Sequence, residues 1–392
     1  MKTHPSAPPT SNPSEFPHLA HATLQGLRGE SLLSTQDWSL TEIDALLDVA
    51  RVFERLDRAG VRTELLPDEL AWALFFDNST RTKSAWAGAA ARLGMQPVIV
   101  DGSSTQLSHG ETAAETGAML GMNAHAMGVR HDLILGEGQR LMRDMKAGID
   151  DYLQANGEKR RVPIVNLQCD LDHPTQTLAD LQWIRERLGT DLRGRKITVS
   201  WAYSPSYAKP LSVPQGLILL LSRFGAHLTL AHPPGYELLP ETLTAATDNS
   251  LKSQGSFRVI NDMDEAFEGA DVVYPKSWGP LELMQARVGV ARHAQALRSI
   301  EDQALAMNAS HKDWICDENR MAKTHGGAAL YMHCLPADIG AEVSPGVMDK
   351  ARLDVAREAQ KKVYVIMALL AVAKVDNLAQ RLTALAASAG GQ

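Results

Sequence analysis

The chain has 392 residues, of which 44% are hydrophobic and 22% are charged, as in soluble globular proteins. This length exceeds that of one ordinary hydrophobic core, so we expect two domains. The formal net charge of −7 argues against nucleic acid as a partner, and it means that an anionic substrate needs a locally positive pocket.

In chain order, the sequence begins with a segment rich in Pro and Ser, residues 1–20, which we expect to be a disordered N-terminal arm. Beyond it, the spacing of apolar residues predicts alternating helices and strands. In the first half we predict helices over 40–59, 84–93, 111–122, 138–148 and 175–188, and strands over 71–76, 97–100, 124–129 and 162–167. Between them, residues 101–110 are predicted to form a polar loop.

The same alternation continues in the second half. We predict helices over 215–224, 241–254, 264–267 and 355–387, and strands over 196–201, 227–231, 258–260, 272–274 and 329–333. Residues 203–214 contain three prolines and are predicted to form a long loop. Such alternation is typical of parallel α/β sheets, which place their ligands beyond the carboxyl ends of the strands.

The most informative stretch is the turn between the first predicted strand and the helix after it. Ser79, Thr80 and Thr82 supply hydroxyl groups there, and Arg81 and Lys83 place positive charge on the first helical turn. Positive side chains are unfavourable at the positive end of a helix dipole unless an anion binds there. Hydroxyls, free N–H groups and a guanidinium therefore predict a phosphate cradle, although a surface helix with solvated Arg and Lys is a nearly equal interpretation.

Three further pieces follow directly on predicted strands. Arg130 ends one strand and is interpreted equally well as a ligand contact or as a surface ion pair. In an HPTQ stretch, His173 and Gln176 could donate hydrogen bonds to a carbonyl oxygen, although a capping or core histidine is the more ordinary interpretation. Cys334 could be a nucleophile, but no partner base is assignable, so a lining role is favoured. The bond preceding Pro336 is a candidate cis bond.

Other chemistries are less well supported. The sequence has no dinucleotide-binding or P-loop glycine fingerprint. Its 13 histidines are scattered, and we expect no metal and no cofactor. Cys169, Cys316 and Cys334 are odd in number and far apart, which indicates reduced thiols in the cytoplasm. No apolar stretch reaches membrane-spanning length; residues 364–375 come nearest and fit a core helix, so we expect no membrane partner.

Taken together, these pieces resemble the aspartate/ornithine carbamoyltransferase family. The matching stretches are STRT at 79–82, HPTQ at 173–176 with LAD at 178–180, and HCLP at 333–336. They occur in the family's order and span most of the chain. Each four-letter piece alone is weak, but the combination is highly specific.

A second set of residues is similar to the knotted branch of that family, which includes the acetylornithine and succinylornithine enzymes. It comprises the WAYSPSY segment at 201–207, the prolines that follow it, and the SWG segment at 277–279. The resemblance implies two doubly wound parallel-sheet α/β domains, a trefoil knot in the second, and a homotrimer with shared active sites. The implied domains are a carbamoyl phosphate-binding domain at 21–185 and an acceptor-binding domain at 186–353. The N-terminal arm, 1–20, precedes them, and a C-terminal helix at 354–392 packs back on the first domain.

Site residues are carried over position by position. The resemblance implies that carbamoyl phosphate is bound by Ser79, Thr80, Arg81, Thr82, Arg130, His173, Gln176, Cys334, Leu335 and Lys362. Among these, the residues implied to act at the carbamoyl group are Arg130, His173, Gln176 and Cys334. Expected acceptor contacts are Asn166, Lys276, Ser277 and Trp278. A loop that resembles the one lent to a neighbouring subunit carries Gln106 and His109.

Three departures from the family pattern bear on the acceptor. His109 stands where the aspartate enzymes carry Lys, and residues 274–279 replace the ornithine enzymes' Asp-x-x-x-Ser-Met-Gly. Lys362 stands where an Arg is expected, which turns a bidentate contact into a point charge. The first two argue against aspartate and ornithine, so an N-acylated ornithine, a diamine and a small ureido compound stay open.

We therefore predict a carbamoyltransferase that acts on an unidentified small amine or amide. The alternative is a non-catalytic paralogue that binds a phosphate-bearing metabolite.

Overall fold

The computed structural model describes residues 19–291 and 293–389. The predicted N-terminal arm, 1–20, lies almost entirely outside these residues. In the described part, the strands β1 to β9 are Leu70–Phe75, Gln96–Asp101, Ala126–His131, Ile164–Cys169, Lys196–Ser200, His227–Ala231, Ser256–Ile260, Val272–Pro275 and Leu330–Tyr331. The helices α1 to α14 are His21–Gly26, Leu40–Arg58, Arg81–Arg92, Ala113–Gly121, Gly138–Ala155, Pro174–Leu188, Ser212–Leu221, Pro240–Lys252, Met263–Phe267, Leu281–Gly289, Ala294–Asn308, Glu318–Lys323, Pro345–Lys374 and Leu378–Ala389.

The strands form two parallel sheets. The first has four strands in the order β2-β1-β3-β4, and the second has five in the order β7-β6-β5-β8-β9. Every strand pairing in both sheets is parallel. Because helices connect the parallel strands, both sheets are covered by helices, as in doubly wound folds. The predicted fold class, two α/β domains with parallel sheets, is confirmed.

The long helix α13 connects the end of the second sheet's domain to the first. Ser344 caps it by accepting a hydrogen bond from the Val347 amide, and Pro345 occupies its first turn, where a missing N–H costs nothing. Its apolar residues pack against α2, α3 and α6. The C-terminal segment therefore lies on the helices that flank the first sheet. No helix in the described ranges combines the length and apolarity that a membrane span requires.

Several elements differ from their prediction. The segment expected to be a polar loop contains two short 3-10 turns, Gly102–Ser104 and Gln106–His109. The predicted proline-rich loop ends earlier, because α7 begins at Ser212 and accommodates Pro214 in its first turn. The late strand is only Leu330–Tyr331. The candidate cis bond before Pro336 is confirmed.

Candidate active site

A cavity of about 340 Å³ lies between the two sheets, and its walls come from the last residues of β3 and β4, from the segments that follow β1, β4, β5, β8 and β9, and from α13. Eleven of the predicted site residues line it together: Ser79, Thr80, Arg81, Thr82, Arg130, His173, Gln176, Lys276, Cys334, Leu335 and Lys362. Parallel sheets bring the carboxyl ends of their strands to one edge, so residues far apart in sequence meet there.

The turn after β1 forms one end of this cavity. Helix α3 begins at Arg81, and the preceding Thr80 makes no side-chain cap to the helix. Ser79 Oγ accepts a hydrogen bond of 3.3 Å from the Thr82 amide. Three hydroxyls and the positive end of a twelve-residue helix therefore lie beside the Arg81 guanidinium. Lys83, in contrast, forms an ion pair with Asp101 at 2.8 Å and does not line the cavity.

Four cationic side chains line the cavity, Arg81, Arg130, Lys276 and Lys362, and no Asp or Glu is among the lining residues. Lys276 is 5% exposed and Lys362 is 4% exposed. Burial is the main reason that the pKa of each ammonium group falls to about 8. Burial also lowers the pKa of Arg81. The cavity is thus the locally positive pocket that an acidic protein needs to bind an anion.

The Arg130 guanidinium is held in place by hydrogen bonds to neighbouring side chains. Its Nη2 donates to Asp132 Oδ2 at 2.8 Å, and its Nη1 donates to Ser79 Oγ at 3.4 Å. The Asp132 amide in turn donates to Asp77 Oδ2 at 2.8 Å, which fixes the segment after β3. Because a guanidinium has five N–H donors, Arg130 retains hydrogen-bonding capacity for a ligand.

His173 precedes α6 and is 3% exposed. Its Nδ1 lies 3.3 Å from the Thr175 hydroxyl. Burial, followed by the positive charges of Lys362, Arg130 and Arg81, holds the pKa of His173 well below its ordinary value. The imidazole is therefore neutral near pH 7. When Nδ1 accepts a hydrogen bond from the Thr175 hydroxyl, Nε2 carries the ring proton and can donate a hydrogen bond to a ligand.

Gln176 differs from the expectation of a side-chain donor. Its Nε2 donates to Asp180 Oδ1 at 2.6 Å, inside the protein. One N–H of Nε2 is used by this contact, and the amide oxygen, Oε1, can accept a hydrogen bond from a molecule in the cavity. This oxygen suits a ligand that presents an N–H group.

Cys334 lines the cavity, and the neighbouring histidine is not positioned to act as its base. The neighbouring His333 uses its Nδ1 to accept the Leu335 amide at 2.8 Å, and its Nε2 lies 3.5 Å from Glu342. Both imidazole nitrogens are therefore directed at other groups, which supports a lining role for the thiol.

Three predicted acceptor contacts do not reach the cavity. Asn166 Nδ2 donates to the Leu33 carbonyl oxygen at 2.6 Å, and the Ser277 amide donates to Glu342 Oε1 at 2.7 Å. Trp278 Nε1 donates to a backbone carbonyl at 2.8 Å. All three residues are 0% exposed and absent from the lining. The prediction that Asn166, Ser277 and Trp278 contact the acceptor directly is therefore corrected.

The loop predicted to reach a neighbouring subunit lies away from this chain's own cavity. Gln106 and His109 are exposed and joined to each other, with His109 Nδ1 3.1 Å from Gln106 Oε1. Their contribution to another subunit's site stays a prediction.

Six lining residues were missed: Asn78, Gln168, Tyr207, Pro210, Val213 and Pro336. Gln168 carries the strand-end signal that identified Arg130, and its Nε2 donates to Ser212 Oγ at 2.9 Å, across to the second domain. Tyr207, Pro210 and Val213 lie within the proline-rich segment 203–214, where no periodicity indicates which side chains face inward.

Comparison with known proteins gives two matching family profiles. Residues 30–186 match the carbamoyl-P binding domain of aspartate/ornithine carbamoyltransferases, and residues 211–373 match the Asp/Orn binding domain. Together these matches cover most of the chain.

Individual relatives agree with the profiles. The chain is 45% identical over 354 residues to the Escherichia coli (strain K12) protein named "Putative carbamoyltransferase YgeW", covering 88% of this chain and 89% of that protein. It is 32% identical to the N-acetylornithine carbamoyltransferase of Xanthomonas axonopodis pv. citri, covering 86% and 95%. A solved mutant of N-acetyl-L-ornithine transcarbamylase, complexed with carbamyl phosphate and N-succinyl-L-norvaline, superposes with a TM-score of 0.72 at 28% identity and covers 87% and 99%.

Proposed function

The chain belongs to the aspartate/ornithine carbamoyltransferase family, and we propose that it transfers the carbamoyl group of carbamoyl phosphate to a small amine or amide, releasing phosphate. One observation carries the proposal. Four cations and a hydroxyl-bearing helix N-terminus share one cavity, and no carboxylate lines it. Such a cavity is built for a ligand with at least two negative charges.

The phosphate of the donor would lie at the turn after β1. The hydroxyls of Ser79, Thr80 and Thr82, the first amides of α3 and the Arg81 guanidinium all offer hydrogen bonds to phosphate oxygens. Lys362 would add a positive charge from α13 without the bidentate geometry of an arginine.

The carbamoyl end would lie between Arg130, His173 and Gln176. Arg130 and the Nε2–H of a neutral His173 are donors that suit the carbonyl oxygen, and Thr82 supplies a hydroxyl nearby. Gln176 Oε1 is an acceptor that suits the carbamoyl NH₂. The carbonyl oxygen and the NH₂ of the carbamoyl group are therefore met by groups of opposite hydrogen-bonding sense.

The reaction follows from these contacts. The nitrogen of a neutral amine attacks the carbonyl carbon, and the carbonyl π electrons move to the oxygen, where Arg130 and His173 stabilise the negative charge. When the carbonyl re-forms, the bond to the phosphate oxygen breaks and phosphate leaves into the cradle, taking up the proton that the amine loses. The protein positions two substrates, a contribution of roughly 7–11 kcal/mol at best.

Lys276 is proposed to meet an acidic group on the acceptor. It lies on the second domain's side of the cavity, after β8, and its Nζ donates to the Ser277 carbonyl at 2.8 Å. An ammonium has three donors, so it can also bind a carboxylate. This favours an acceptor that carries a carboxylate in addition to its nucleophilic nitrogen.

The homotrimer with shared sites, the trefoil knot and the domain boundaries are proposed on the family resemblance, and the cytoplasmic location is proposed on the odd number and wide spacing of the cysteines. The exposed Gln106–His109 turn is available for a neighbouring subunit. Sedimentation tests the assembly, since a stable monomer would leave His109 unable to reach another pocket.

A panel of amines and amides tests the transferase activity. Purified protein is incubated with carbamoyl phosphate and each acceptor, and both phosphate release and the mass of the acceptor are followed. We expect an acceptor to gain one carbamoyl group per phosphate released. A protein that binds carbamoyl phosphate but carbamoylates no member of a broad panel would favour the non-catalytic alternative.

A further inference from the structure

Two buried carboxyl groups lie directly behind Gln176. Asp180 belongs to α6 and Glu358 to α13, and both are 0% exposed. Asp180 Oδ1 accepts the Gln176 amide at 2.6 Å, and Oδ2 accepts the Tyr274 hydroxyl at 3.2 Å. Glu358 Oε2 accepts the backbone amide of His333 at 3.2 Å. The pair therefore joins α6, β8, α13 and the segment after β9.

The two carboxyl groups also contact each other. The side chains of Asp180 and Glu358 lie within hydrogen-bonding reach of each other. Glu358 Oε1 is buried and has no donor from the protein among residues 19–291 and 293–389. A carboxylate has only acceptor atoms, so two carboxyl groups can share a hydrogen bond only when one of them carries a proton.

We propose that Asp180 and Glu358 hold one proton between them and act as positioning residues that keep Gln176 Oε1 directed to the cavity. With Glu358 as donor, Asp180 keeps both oxygens as acceptors, one for Gln176 and one for Tyr274. Without that proton, two buried negative charges would repel each other behind the site.

The surroundings of the pair support this assignment. Burial raises the pKa of Asp180 to about 6 and that of Glu358 well above its ordinary value. The titratable groups that face the pair are Lys362 on α13, Tyr274 on β8 and Cys334 after β9. Lys362 lowers the pKa of Asp180, which favours Glu358 as the protonated partner.

The positioned amide has a consequence for ligand choice, which rests on the proposed function. Acetyl phosphate has nearly the shape of carbamoyl phosphate but carries CH₃ in place of NH₂. An acceptor oxygen held at that end would gain a hydrogen bond from NH₂ and none from CH₃. Gln176, fixed by the acid pair, would therefore select the carbamoyl compound over the acetyl compound.

Calorimetric titration of three ligands tests this selection: carbamoyl phosphate, acetyl phosphate and inorganic phosphate. For the wild-type chain we expect carbamoyl phosphate to bind about tenfold more tightly than acetyl phosphate, the effect of one hydrogen bond. Asp180→Ala should bring that ratio close to one and leave inorganic phosphate affinity within about twofold. Equal losses for all three ligands would indicate a general structural defect and would overturn the positioning role.

Glu358 allows a matched pair of variants. Glu358→Gln keeps a donor toward Asp180 without an ionisable proton, so it should preserve the ligand ratio, whereas Glu358→Ala should reduce it. The proposal is contradicted if Glu358→Gln and Glu358→Ala change the ratio equally.

Infrared difference spectroscopy tests the shared proton without any ligand. The spectrum of the wild-type chain minus that of Glu358→Gln at neutral pH should contain the carbonyl band of a protonated carboxyl group, shifted in D₂O. Only carboxylate bands in that difference would overturn the shared proton. Because no ligand is present, this result is independent of whether the chain is a transferase; wild-type phosphate binding tests the anion site separately.

Discussion

Arg81 Nη2 lies 2.5 Å from the carbonyl oxygen of Leu335, a hydrogen bond between residues 254 positions apart. Arg81 begins α3 beside the first sheet, and Leu335 follows β9 of the second sheet. The same guanidinium is the main candidate for holding phosphate, so the anion site and the contact between the domains share one side chain. Ligand binding and the fit of the two domains are therefore expected to depend on each other.

The pH dependence of anion binding is expected to reflect Lys362. Its pKa of about 8 lies below the ordinary lysine value because of burial, so the free protein loses this positive charge as the pH rises through 8. We expect carbamoyl phosphate affinity to fall above that pH, measured by calorimetry. Lys362→Arg should retain more affinity at pH 9, because an arginine stays charged there.

Lys276 also has a pKa of about 8, so it loses its charge over the same pH range as Lys362. The Lys362→Arg variant separates the two lysines, because only position 362 then keeps its charge at high pH. If the Lys362→Arg chain loses affinity with pH as steeply as the wild type does, Lys362 is not a contact of the phosphate.

Acceptor recognition is expected to depend on Lys276. Lys276→Ala should raise the acceptor KM about tenfold or more, the loss of one charged hydrogen bond, and leave the carbamoyl phosphate KM within about twofold. Steady-state kinetics with each substrate varied in turn measures both. Lys83→Ala is the control, because Lys83 pairs with Asp101 outside the cavity. An unchanged acceptor KM in Lys276→Ala would remove the proposed carboxylate contact.

The buried acid Glu358 is expected to make stability depend on pH. Its folded pKa is raised, so above its ordinary pKa the unfolded chain ionises while the folded chain keeps the proton. The wild type should therefore lose up to about 1.4 kcal/mol per pH unit relative to Glu358→Gln until the folded pKa is reached.

Differential scanning calorimetry at several pH values from about 5 to 8 measures this as a growing Tm advantage of the Glu358→Gln variant. A Tm difference that does not change with pH would show that Glu358 is already ionised in the folded protein.

The shared-site proposal is tested by mixing two inactive variants. Arg81→Ala removes the cradle, and His109→Ala alters the loop that is proposed to enter a neighbouring subunit. In randomly mixed trimers about a quarter of the sites would combine an intact cradle with an intact loop. Activity should then rise toward that fraction of the wild type, whereas mixtures that stay inactive would argue for sites contained within single chains.

Much of the site could be predicted from the sequence, because the ends of strands can be recognised where an apolar run stops. Arg130, His173 and Cys334 each follow an apolar run that forms a strand or its immediate extension, and parallel pairing brings such ends together. The cradle could be predicted for another reason. Arg81 places a positive charge at the positive end of a helix dipole, which is unfavourable unless an anion binds there.

The choice between neighbouring strand-end residues was not readable. Asn166 and Gln168 both lie in β4, two residues apart, yet only Gln168 reaches the cavity. The pairing of β3 with β4 shifts register between Val129 and Arg130, and the Asn166 side-chain amide donates its hydrogen bond to the Leu33 carbonyl. Both effects are tertiary, so spacing along the strand could not reveal them.

Helices α10 to α12 were missed because their pattern is weak. In α11 only Ala304 and Asn308 are buried, so the helix has no continuous apolar stripe. Its place is fixed instead by polar contacts, such as the Glu301 carboxylate that accepts the Ala208 amide at 2.7 Å. Such long-range contacts leave no local signal.

The most direct test of the proposed phosphate cradle is a calorimetric titration of carbamoyl phosphate into the wild-type chain and into Arg81→Ala, with Lys83→Ala as a charge-matched control. We predict saturable binding to the wild type and to Lys83→Ala, and about a hundredfold weaker binding to Arg81→Ala, the loss expected for a charge-assisted contact to phosphate. A folded wild-type chain that does not bind, or an Arg81→Ala chain that binds as well as the wild type, would contradict the assignment of this cavity to carbamoyl phosphate.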